Sequence, residues 1–248
     1  MSVEAIQRQE LIRNRIEKSG RVKVSELATE LGVSEMTIRR DLIALSKQGF
    51  AQRVRGGALA IGPQPFAKRY GRAAVAKDRV ADKLLELVGE GGAIGIDAST
   101  TLQRLAARLG GARDLTVVTN GPECFTVLQE HPGVTALLTG GQLDRRTGSL
   151  VGPIAVRASR DLLLRQVFLS AAAIDSAHGT SEATLEEAEV KHAMAEVASR
   201  VVVAIDSTKL NQRAPARCLP LEAVDVLVTE LDPSDPRLLP YREFCEVR

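Results

Sequence analysis

The stretch VSEMTIRRDLIALSKQG, residues 33–49, combines one apolar face at helical spacing with a polar and basic N-terminal half. Its apolar side chains recur at i, i+4 and i+7, at Ile38, Leu42 and Leu45. Just before it, VSELATELG at 24–32 predicts a shorter helix, and Gly32 can adopt the left-handed conformation of a tight turn. Two helices joined by such a turn predict a helix-turn-helix, whose second helix normally enters the major groove of DNA.

The outward face of the second helix carries the side chains that predict DNA contact. Arg39 or Arg40 could donate two hydrogen bonds to a guanine, while the hydroxyls of Ser34 and Thr37 suit phosphate oxygens. Asp41 is expected to pair with a neighbouring arginine and to hold its guanidinium in place. The alternative is an amphipathic helix with two surface arginines. The candidate DNA contacts on this helix are Ser34, Glu35, Met36, Thr37, Arg39 and Arg40.

The next residues, FAQRVRGGALA at 50–60, predict a β-hairpin. Alternation from Phe50 indicates a short strand, the pair Gly56-Gly57 permits a reversal, and residues 58–61 are expected to return as the partner strand. A two-stranded wing after a recognition helix would lie against the DNA backbone or the minor groove. Its candidate DNA contacts are Arg53 and Arg55.

Charge is distributed unevenly along the chain, whose net charge is +2. Residues 1–60 carry eleven Lys or Arg against seven Asp or Glu, whereas the rest of the chain carries 22 against 24. A basic head on a slightly acidic body favours contact between the head and a polyanion, although a solvated basic face would give the same pattern.

The overall composition is that of an ordinary globular protein, with 44% hydrophobic and 26% charged residues. The apolar runs are too short to span a bilayer, and the N-terminal MSVEAIQRQE lacks the apolar core of a secretory signal. Three distant cysteines favour free thiols in a reducing compartment, and neither they nor the three scattered histidines have the spacing of a metal site. We therefore expect a cytoplasmic protein with no metal, no cofactor and no membrane partner.

A domain boundary is predicted after the hairpin. The run IGPQPFAKRYGR contains two prolines and two glycines and has no sustained periodicity. We expect a DNA-binding domain at 1–60, a linker at 61–73 and a larger domain at 74–248.

The larger domain alternates short apolar runs with helical segments, which predicts a mostly parallel α/β sheet covered on both faces. The predicted strands are 93–97, 115–119, 134–139, 166–171, 201–205 and 225–229. Ligands of such sheets bind beyond the carboxyl ends of the strands, so the residues that follow each strand are the candidates for a binding site.

Polar residues and glycines follow several of these strands. The first strand is followed by DASTT at 97–101, which offers hydroxyls and free backbone N–H groups to an anion, or serves only as a helix cap. The second and third are followed by TNG at 119–121 and TGG at 139–141, and DSTK at 206–209 follows a later strand. Asp175 is a further candidate because of its position in a loop, whereas Lys191 lies on a helix where surface exposure is the default expectation.

These residues together resemble the DeoR family of bacterial repressors. In the head, VSEMTIRRDL and the wing RVRGGA carry the resemblance, although Arg55 replaces the histidine that the family usually has. In the body, IGIDASTT, VVTN, LTGG, SLVG, EEAEVKHAM and AIDSTK resemble the family's sensor domain, which is similar to ribose-5-phosphate isomerase. The resemblance covers nearly the whole chain and implies a winged helix-turn-helix followed by an α/β sensor domain.

The resemblance also implies an effector pocket that takes a phosphorylated sugar or a related metabolite. With Asp175 added, the candidate residues are Asp97, Ser99, Thr100, Thr101, Asn120, Gly141, Asp175, Lys191, Asp206 and Lys209. Two departures from the family pattern would narrow such a pocket, because Ser99 and the segment 170–173 replace glycines.

Three functions remain open from the sequence. The first is a repressor of carbohydrate-metabolism genes that binds double-stranded operator DNA as a homo-oligomer and responds to its effector. The second is a sugar-phosphate isomerase with an appended DNA-binding head, for which Asp97 or Asp175 could supply the acid–base group. The third is a repressor whose larger domain only oligomerises. We expect the first, and therefore expect no catalytic residues.

Overall fold

The chain divides into two compact units, Met1–Pro65 and Phe66–Arg248. The computed structural model describes residues 3–47, 51–60 and 66–248. Each unit has a hydrophobic core of its own.

Part of the segment predicted as a linker, 61–73, is helical. Residues 61–65, together with the strand positions expected at Phe50 and Ile61, lie outside the described residues. Residues 66–71 form a helix that belongs to the second unit, a structure that the two glycines and two prolines nearby did not indicate.

The first unit is a winged helix-turn-helix, as expected. Its elements are α1 (Val3–Ser19), β1 (Arg21–Lys23), α2 (Val24–Leu31), α3 (Glu35–Lys47), β2 (Ala51–Val54) and β3 (Gly57–Ala60). The three strands form an antiparallel sheet in the order β1-β3-β2. The strand β1 was not predicted, because three residues are too few to show a period of two.

The predicted apolar face of α3 is confirmed. Its three side chains are fully buried and pack with residues of α1 and β1 in the core of the unit, at Ile38, Leu42 and Leu45. Gly32 ends α2 in the left-handed conformation, with φ of 64°. The local pattern therefore determined the spacing of the two helices.

The second unit alternates helices with strands. Its helices are α4 (Phe66–Gly71), α5 (Ala74–Val88), α6 (Thr100–Ala106), α7 (Pro122–Leu128), α8 (Pro153–Arg160) and α9 (Leu185–Glu196), with short 3-10 helices at Leu109–Gly111, Ser207–Lys209, Leu221–Ala223 and Pro236–Tyr241. Its strands are β4 (Gly92–Ile96), β5 (Leu115–Thr119), β6 (Val134–Leu138), β7 (Gln142–Asp144), β8 (Ser149–Val151), β9 (Gln166–Leu169), β10 (Ala173–Asp175), β11 (Gly179–Glu182), β12 (Val201–Ala204), β13 (Ala216–Arg217), β14 (Val226–Val228) and β15 (Glu246–Val247).

Seven of these strands form one sheet within residues 66–248, in the order β15-β14-β12-β9-β4-β5-β6. All its neighbouring strands are parallel. Apolar clusters cover both faces, and the strand Val201–Ala204 is buried along its whole length, as expected of a β-branched run in a two-sided sheet. The predicted α/β sheet is confirmed.

The order of the strands reverses at β4. From this strand the chain builds outward through β5 and β6 on one side, and later through β9, β12 and β14 on the other. A crevice forms at such a switch point, beyond the carboxyl ends of the two strands that flank it. Here those strands are β4 and β9.

Two smaller antiparallel sheets were not predicted. One pairs β7 with β8, and the other has the order β10-β11-β13. Their strands have two to four residues, too few for periodicity to identify them. Among the described residues, no helix combines the length and the apolar character that crossing a bilayer requires.

Candidate functional site

The N-terminal half of α3 presents polar side chains at the surface. The Ser34 hydroxyl accepts a hydrogen bond from the Thr37 amide at 3.1 Å and so caps the helix. Arg39 donates to Glu35 at 2.8 Å, one turn earlier, while Arg40 is exposed. Met36 is also exposed, so the predicted contact residues of this helix share an accessible surface.

Asp41 has a different partner from the one expected. It accepts hydrogen bonds from Arg8 at 2.6 Å and from Gln9 at 3.0 Å, both on α1, and its side chain is almost fully buried. Asp41 therefore fastens α1 to α3 and does not orient Arg39 or Arg40. The sequence could not show this, because the partner lies more than thirty positions away.

The wing carries its two arginines at the surface. Arg53 lies on β2 and Arg55 in the turn, where Gly56 has a φ of 81°. Gly57 is not a turn residue as expected but the first residue of β3, and a Cβ there would lie 2.0 Å from the Val22 carbonyl oxygen. Close pairing with β1, not the reversal, is what requires this glycine.

The second unit brings candidate residues together at the switch point. Asp97 directly follows β4, and its carboxylate accepts hydrogen bonds from the backbone amides of Ser99 at 2.9 Å and of Ser170 at 2.7 Å. Ser170 directly follows β9. The fully buried Asp97 side chain thus bridges the two strand ends between which a ligand crevice is expected.

Lys191 is buried against this carboxylate. Its ammonium group lies 3.1 Å from Asp97 Oδ2 and donates to Glu182 Oε1 at 2.5 Å and to the Ser170 carbonyl oxygen at 2.7 Å. The default expectation of surface exposure for Lys191 is wrong, because α9 packs its side chain inward over the end of β9. Glu182, which the sequence analysis did not single out, is the third member of this ionic cluster.

Burial and charge act in opposite directions within the cluster. Burial would raise the pKa of Asp97, but Lys191 and the hydrogen bonds from Ser99 and Ser170 outweigh it and hold the pKa below its usual value. Burial raises the pKa of Glu182 to about 7 against the attraction of Lys191. Burial would lower the pKa of Lys191, but Asp97 and Glu182 raise it, so this lysine stays charged.

Lys209 approaches the same strand end from the loop after β12. It donates to the Ser170 hydroxyl at 3.1 Å and to the Ala171 carbonyl oxygen at 2.6 Å, and burial lowers its pKa. Asp206 caps the short helix that carries Lys209, accepting from the Thr208 amide at 3.2 Å. The departure at 170–173 is therefore the segment that holds both Lys191 and Lys209.

The hydroxyl residues after β4 lie at the start of α6. Ser99 uses its hydroxyl as the N-cap, accepting from the Leu102 amide at 3.2 Å. The Thr101 Oγ1 and the Asn120 Oδ1 are buried without a hydrogen-bond partner among the described residues, although the Asn120 amide donates to Leu150 O at 3.1 Å. Unpaired buried polar atoms of this kind are unfavourable unless a water or a ligand satisfies them.

Lys77 is a buried residue that the sequence analysis missed. Its side chain is only 4% exposed and donates to the Arg69 carbonyl oxygen at 2.5 Å. Burial lowers its pKa to about 8, with further contributions from the like charges of Lys209, Arg104 and Arg69, which Asp206 opposes. A signal was available, since Lys77 shares the helical face of the buried Val80, Ala81 and Leu84.

Two candidates lie apart from this cluster in their contacts. Gly141 has a φ of 119°, and a Cβ there would lie 2.7 Å from Val151 O, so the glycine allows β8 to approach closely. Asp175 is on β10, where it accepts from His178 at 2.8 Å and from Arg213 at 3.2 Å. Among the described residues, no group of three or more His, Cys, Asp or Glu is arranged to hold a metal ion.

Comparison with known families gives two matches that together span most of the chain. A DeoR-like helix-turn-helix domain matches residues 8–64, and a DeoR C terminal sensor domain matches residues 72–231. Among solved structures, ribose 5 phosphate isomerase A from Neisseria gonorrhoeae covers 54% of this chain and 52% of its own, at 20% identity and a TM-score of 0.36.

Relatives from several organisms match along most of their own length. The HTH-type transcriptional regulator GlpR of Haloferax volcanii is 35% identical over 84% of this chain and 82% of its own. The HTH-type transcriptional repressor GlcR of Bacillus subtilis is 28% identical over 94% and 88%, and the L-fucose operon activator of Haemophilus influenzae is 29% identical over 96% of each. The chain belongs to the DeoR family of transcriptional regulators.

Proposed function

We propose that this protein is a repressor of carbohydrate-metabolism genes that binds operator DNA and responds to a phosphorylated sugar or a related metabolite. The observation that carries the proposal is the cluster of lysines and hydroxyl residues at the switch point of the parallel sheet. Among the described residues, Lys209 donates its hydrogen bonds to two neutral oxygens, so its ammonium group lacks a directly bonded carboxylate and is suited to bind an anion. The name of one relative, the L-fucose operon activator, supports a role in sugar metabolism.

The DNA-binding part of the proposal rests on the first unit. The exposed arginines of α3 and of the wing are of the type that binds guanine edges and phosphates. Because symmetric half-sites require symmetric readers, the protein would bind its operator as a homo-oligomer. The effector then regulates DNA binding by preferring one arrangement of the oligomer, since equal affinity for both would shift nothing.

The proposal is tested by footprinting the purified protein on the promoter regions adjacent to its own gene, followed by titration with sugar phosphates. Unphosphorylated sugars serve as controls. We expect one protected site with two half-sites, and release by a phosphorylated compound only. The same panel is scored by thermal unfolding, where a ligand at ~100 times its Kd adds about 2.7 kcal/mol.

Replacement of Lys209 by Ala separates the two roles. The variant Lys209→Ala should retain operator binding but lose release by the effector, because the first unit is unchanged. If the variant no longer binds the operator, Lys209 supports the assembly of the protein and not effector binding. Release of the wild-type protein by no phosphorylated compound would favour a second unit that only oligomerises.

The absence of catalysis is also part of the proposal. Asp97, one of the two carboxylates considered for acid–base chemistry, is occupied by two backbone amides and by Lys191, and its lowered pKa leaves it a weak base. Incubation with ribose 5-phosphate should give no ribulose 5-phosphate above the uncatalysed rate. Turnover that disappears in Lys209→Ala would contradict this.

A further inference from the structure

The short helix α4 presents backbone carbonyl groups to buried cations of the second unit. The Arg69 carbonyl oxygen accepts from Lys77 Nζ at 2.5 Å and from Thr100 Oγ1 at 3.5 Å. The next carbonyl oxygen, of Tyr70, accepts from Arg104 Nη2 at 2.8 Å. The last carbonyl groups of a helix have no hydrogen-bond partner within it and carry partial negative charge. These two oxygens therefore attract cations, although they carry no full charge.

Among the described residues that act on Lys77, cations outnumber carboxylates. Lys77 experiences the like charges of Lys209, Arg104 and Arg69, and Asp206 is the carboxylate that opposes them. Arg104 has a carboxylate partner of its own in Asp78, at 3.3 Å, which is partly exposed to solvent. A buried lysine whose hydrogen-bond acceptor is a neutral carbonyl is costly, and a ligand with full negative charge in direct contact would compensate it better.

Buried polar atoms that lack a hydrogen-bond partner among the described residues lie on α6, the helix that carries Arg104. Thr101 and Arg104 lie three residues apart, so their side chains share a face of the helix. Both are more than nine-tenths buried, and neither the Thr101 hydroxyl nor the Arg104 Nε has a hydrogen-bond partner among the described residues. A hydroxyl and a guanidinium N–H are suitable donors to phosphate oxygens.

We propose that Lys77 and Arg104 bind the phosphate group of the effector, and that the carbonyl oxygens of Arg69 and Tyr70 occupy these cations until the phosphate displaces them and releases α4. This inference rests on the proposed function, since it names the ligand group and the response of the same unit. The helix α4 is the first described element after the DNA-binding unit in the sequence. Its release therefore changes the part of the second unit that lies nearest in sequence to the DNA-binding unit.

The contacts of α4 are strong enough to hold it but weak enough to be displaced. The guanidinium of Arg104 lies 4.1 Å from the centroid of the Tyr70 ring, and Arg69 donates to the Thr147 carbonyl oxygen. Hydrogen bonds to a phosphate are charged on both sides and are roughly twice as strong as those to a neutral carbonyl. A phosphate can therefore compete with α4 for the same donors.

The test compares phosphate binding by the full-length wild type with binding by Tyr70→Ala and Lys77→Gln. Tyr70→Ala removes the ring from Arg104 but keeps the carbonyl, so it weakens α4 as a competitor. Thermal unfolding is measured against inorganic phosphate and against the panel of sugar phosphates. We expect Tyr70→Ala to bind these anions about two- to tenfold more tightly than wild type, and Lys77→Gln at least about tenfold more weakly.

Arg79→Ala is the matched control, because it removes an exposed cation from the same helix as Lys77. It should bind phosphate as the wild type does. If Tyr70→Ala binds no more tightly than wild type, α4 does not compete with the anion. If Lys77→Gln binds like wild type, the anion is held elsewhere, although the proposed function still stands.

Hydrogen exchange of the wild-type protein gives a second measurement that does not depend on the folding of a variant. Amides of residues 66–73 should exchange faster when phosphate or a sugar phosphate is bound. Slower exchange there, together with thermal stabilisation, overturns the release of α4 and leaves the effector response intact. If no anion stabilises the protein against thermal unfolding, the inference is overturned. Operator binding is measured without ligand, so it tests the DNA-binding role separately.

Calorimetry supplies a third result. A phosphate beside Lys77 raises the lowered pKa of this group, so the protein takes up protons from the buffer on binding. At pH 8 we expect an uptake of up to about half a proton per site, measured as the dependence of the binding enthalpy on the ionisation enthalpy of the buffer. Lys77→Gln should abolish that dependence.

Discussion

Three lysines of the second unit lie in similar surroundings but have different partners. Lys191 lies between two carboxylates, Lys209 contacts a hydroxyl and a carbonyl, and Lys77 contacts a single carbonyl. A buried charge that is paired and hydrogen-bonded serves the structure, whereas one with neutral partners retains a demand for negative charge. We therefore propose that Lys191 holds the site together and that Lys77 and Lys209 bind the ligand.

Glu182→Gln tests the charge balance around Lys191. The carboxyl of Glu182 binds a proton more strongly in the folded protein, where its pKa is about 7, than in the unfolded chain, where it is near 4.5. Its contribution to stability is fully present below pH 4.5 and is lost as the pH rises to 7. The free energy of unfolding of wild type, relative to Glu182→Gln, should fall by on the order of 3 kcal/mol across this range.

Denaturant unfolding at several pH values measures this difference. Glu186→Gln, an exposed change of the same charge on the neighbouring helix, is the control and should show no such dependence. A difference between wild type and Glu182→Gln that does not change with pH would contradict the argument.

Arg39 and Arg40 differ in how they are held. Glu35 fixes the guanidinium of Arg39, whereas Arg40 is exposed beside it. If either arginine binds a guanine, its replacement by Ala should weaken operator binding by about 1–3 kcal/mol and relax specificity at one base pair. Binding to a set of single-base operator variants measures this, and equal weakening on every sequence would assign the residue to phosphate contact.

At the scale of elements, the wing depends on close pairing of strands. The strand β1 pairs with β3 over Arg21–Lys23, and Gly57 lies where the two backbones approach each other. A side chain at Gly57 would force β3 away from β1 and change the direction in which the wing projects. The wing is therefore placed by a strand that precedes the helix-turn-helix and not by its turn alone.

Gly57→Ala should disrupt the first unit and leave the second unit folded. The added Cβ would overlap the Val22 carbonyl oxygen at 2.0 Å, which we expect to cost more than about 2 kcal/mol. Operator binding and thermal unfolding measure the effect. Gly111→Ala, where a Cβ would meet open space, is the control, and wild-type behaviour of both variants would show that the strand pairing tolerates a side chain.

At the scale of the whole molecule, charge and chemistry are divided between the two units. The basic residues 1–60 would supply the electrostatic part of DNA binding, whereas the buried lysines of the second unit are not available to a large polyanion. A substitution in the second unit should therefore leave the electrostatic part of DNA binding unchanged.

The salt dependence of operator binding tests this division. Arg55→Ala should reduce the magnitude of the slope of log K against log salt concentration by about 1, if the wing contacts one phosphate through this side chain. Lys209→Ala should leave both the slope and the affinity unchanged. A change of slope in Lys209→Ala would show that the second unit contributes to DNA contact.

The sequence by itself determined the elements that depend on local pattern. The buried face of α3, the left-handed Gly32 and the β-branched central strands followed from spacings of 3.6 and 2 residues and from the preferences of single residues. The candidates after β4 and β12 followed from the rule that ligands bind beyond strand ends. Short strands such as β1 and β13 gave no such signal, because two or three residues do not establish a period.

Only the tertiary structure decided which charges are buried and what they contact. Asp41 pairs with Arg8 and Lys191 with Asp97, over sequence separations that no local pattern encodes. Lys77 contacts the end of α4, which is close to it in sequence. Lys77 shows that even a visible periodicity does not reveal the partner of a buried charge. The physical reason is that the free energy of a buried charge depends on the groups that surround it in space, and those groups come together only when distant strands and helices pack.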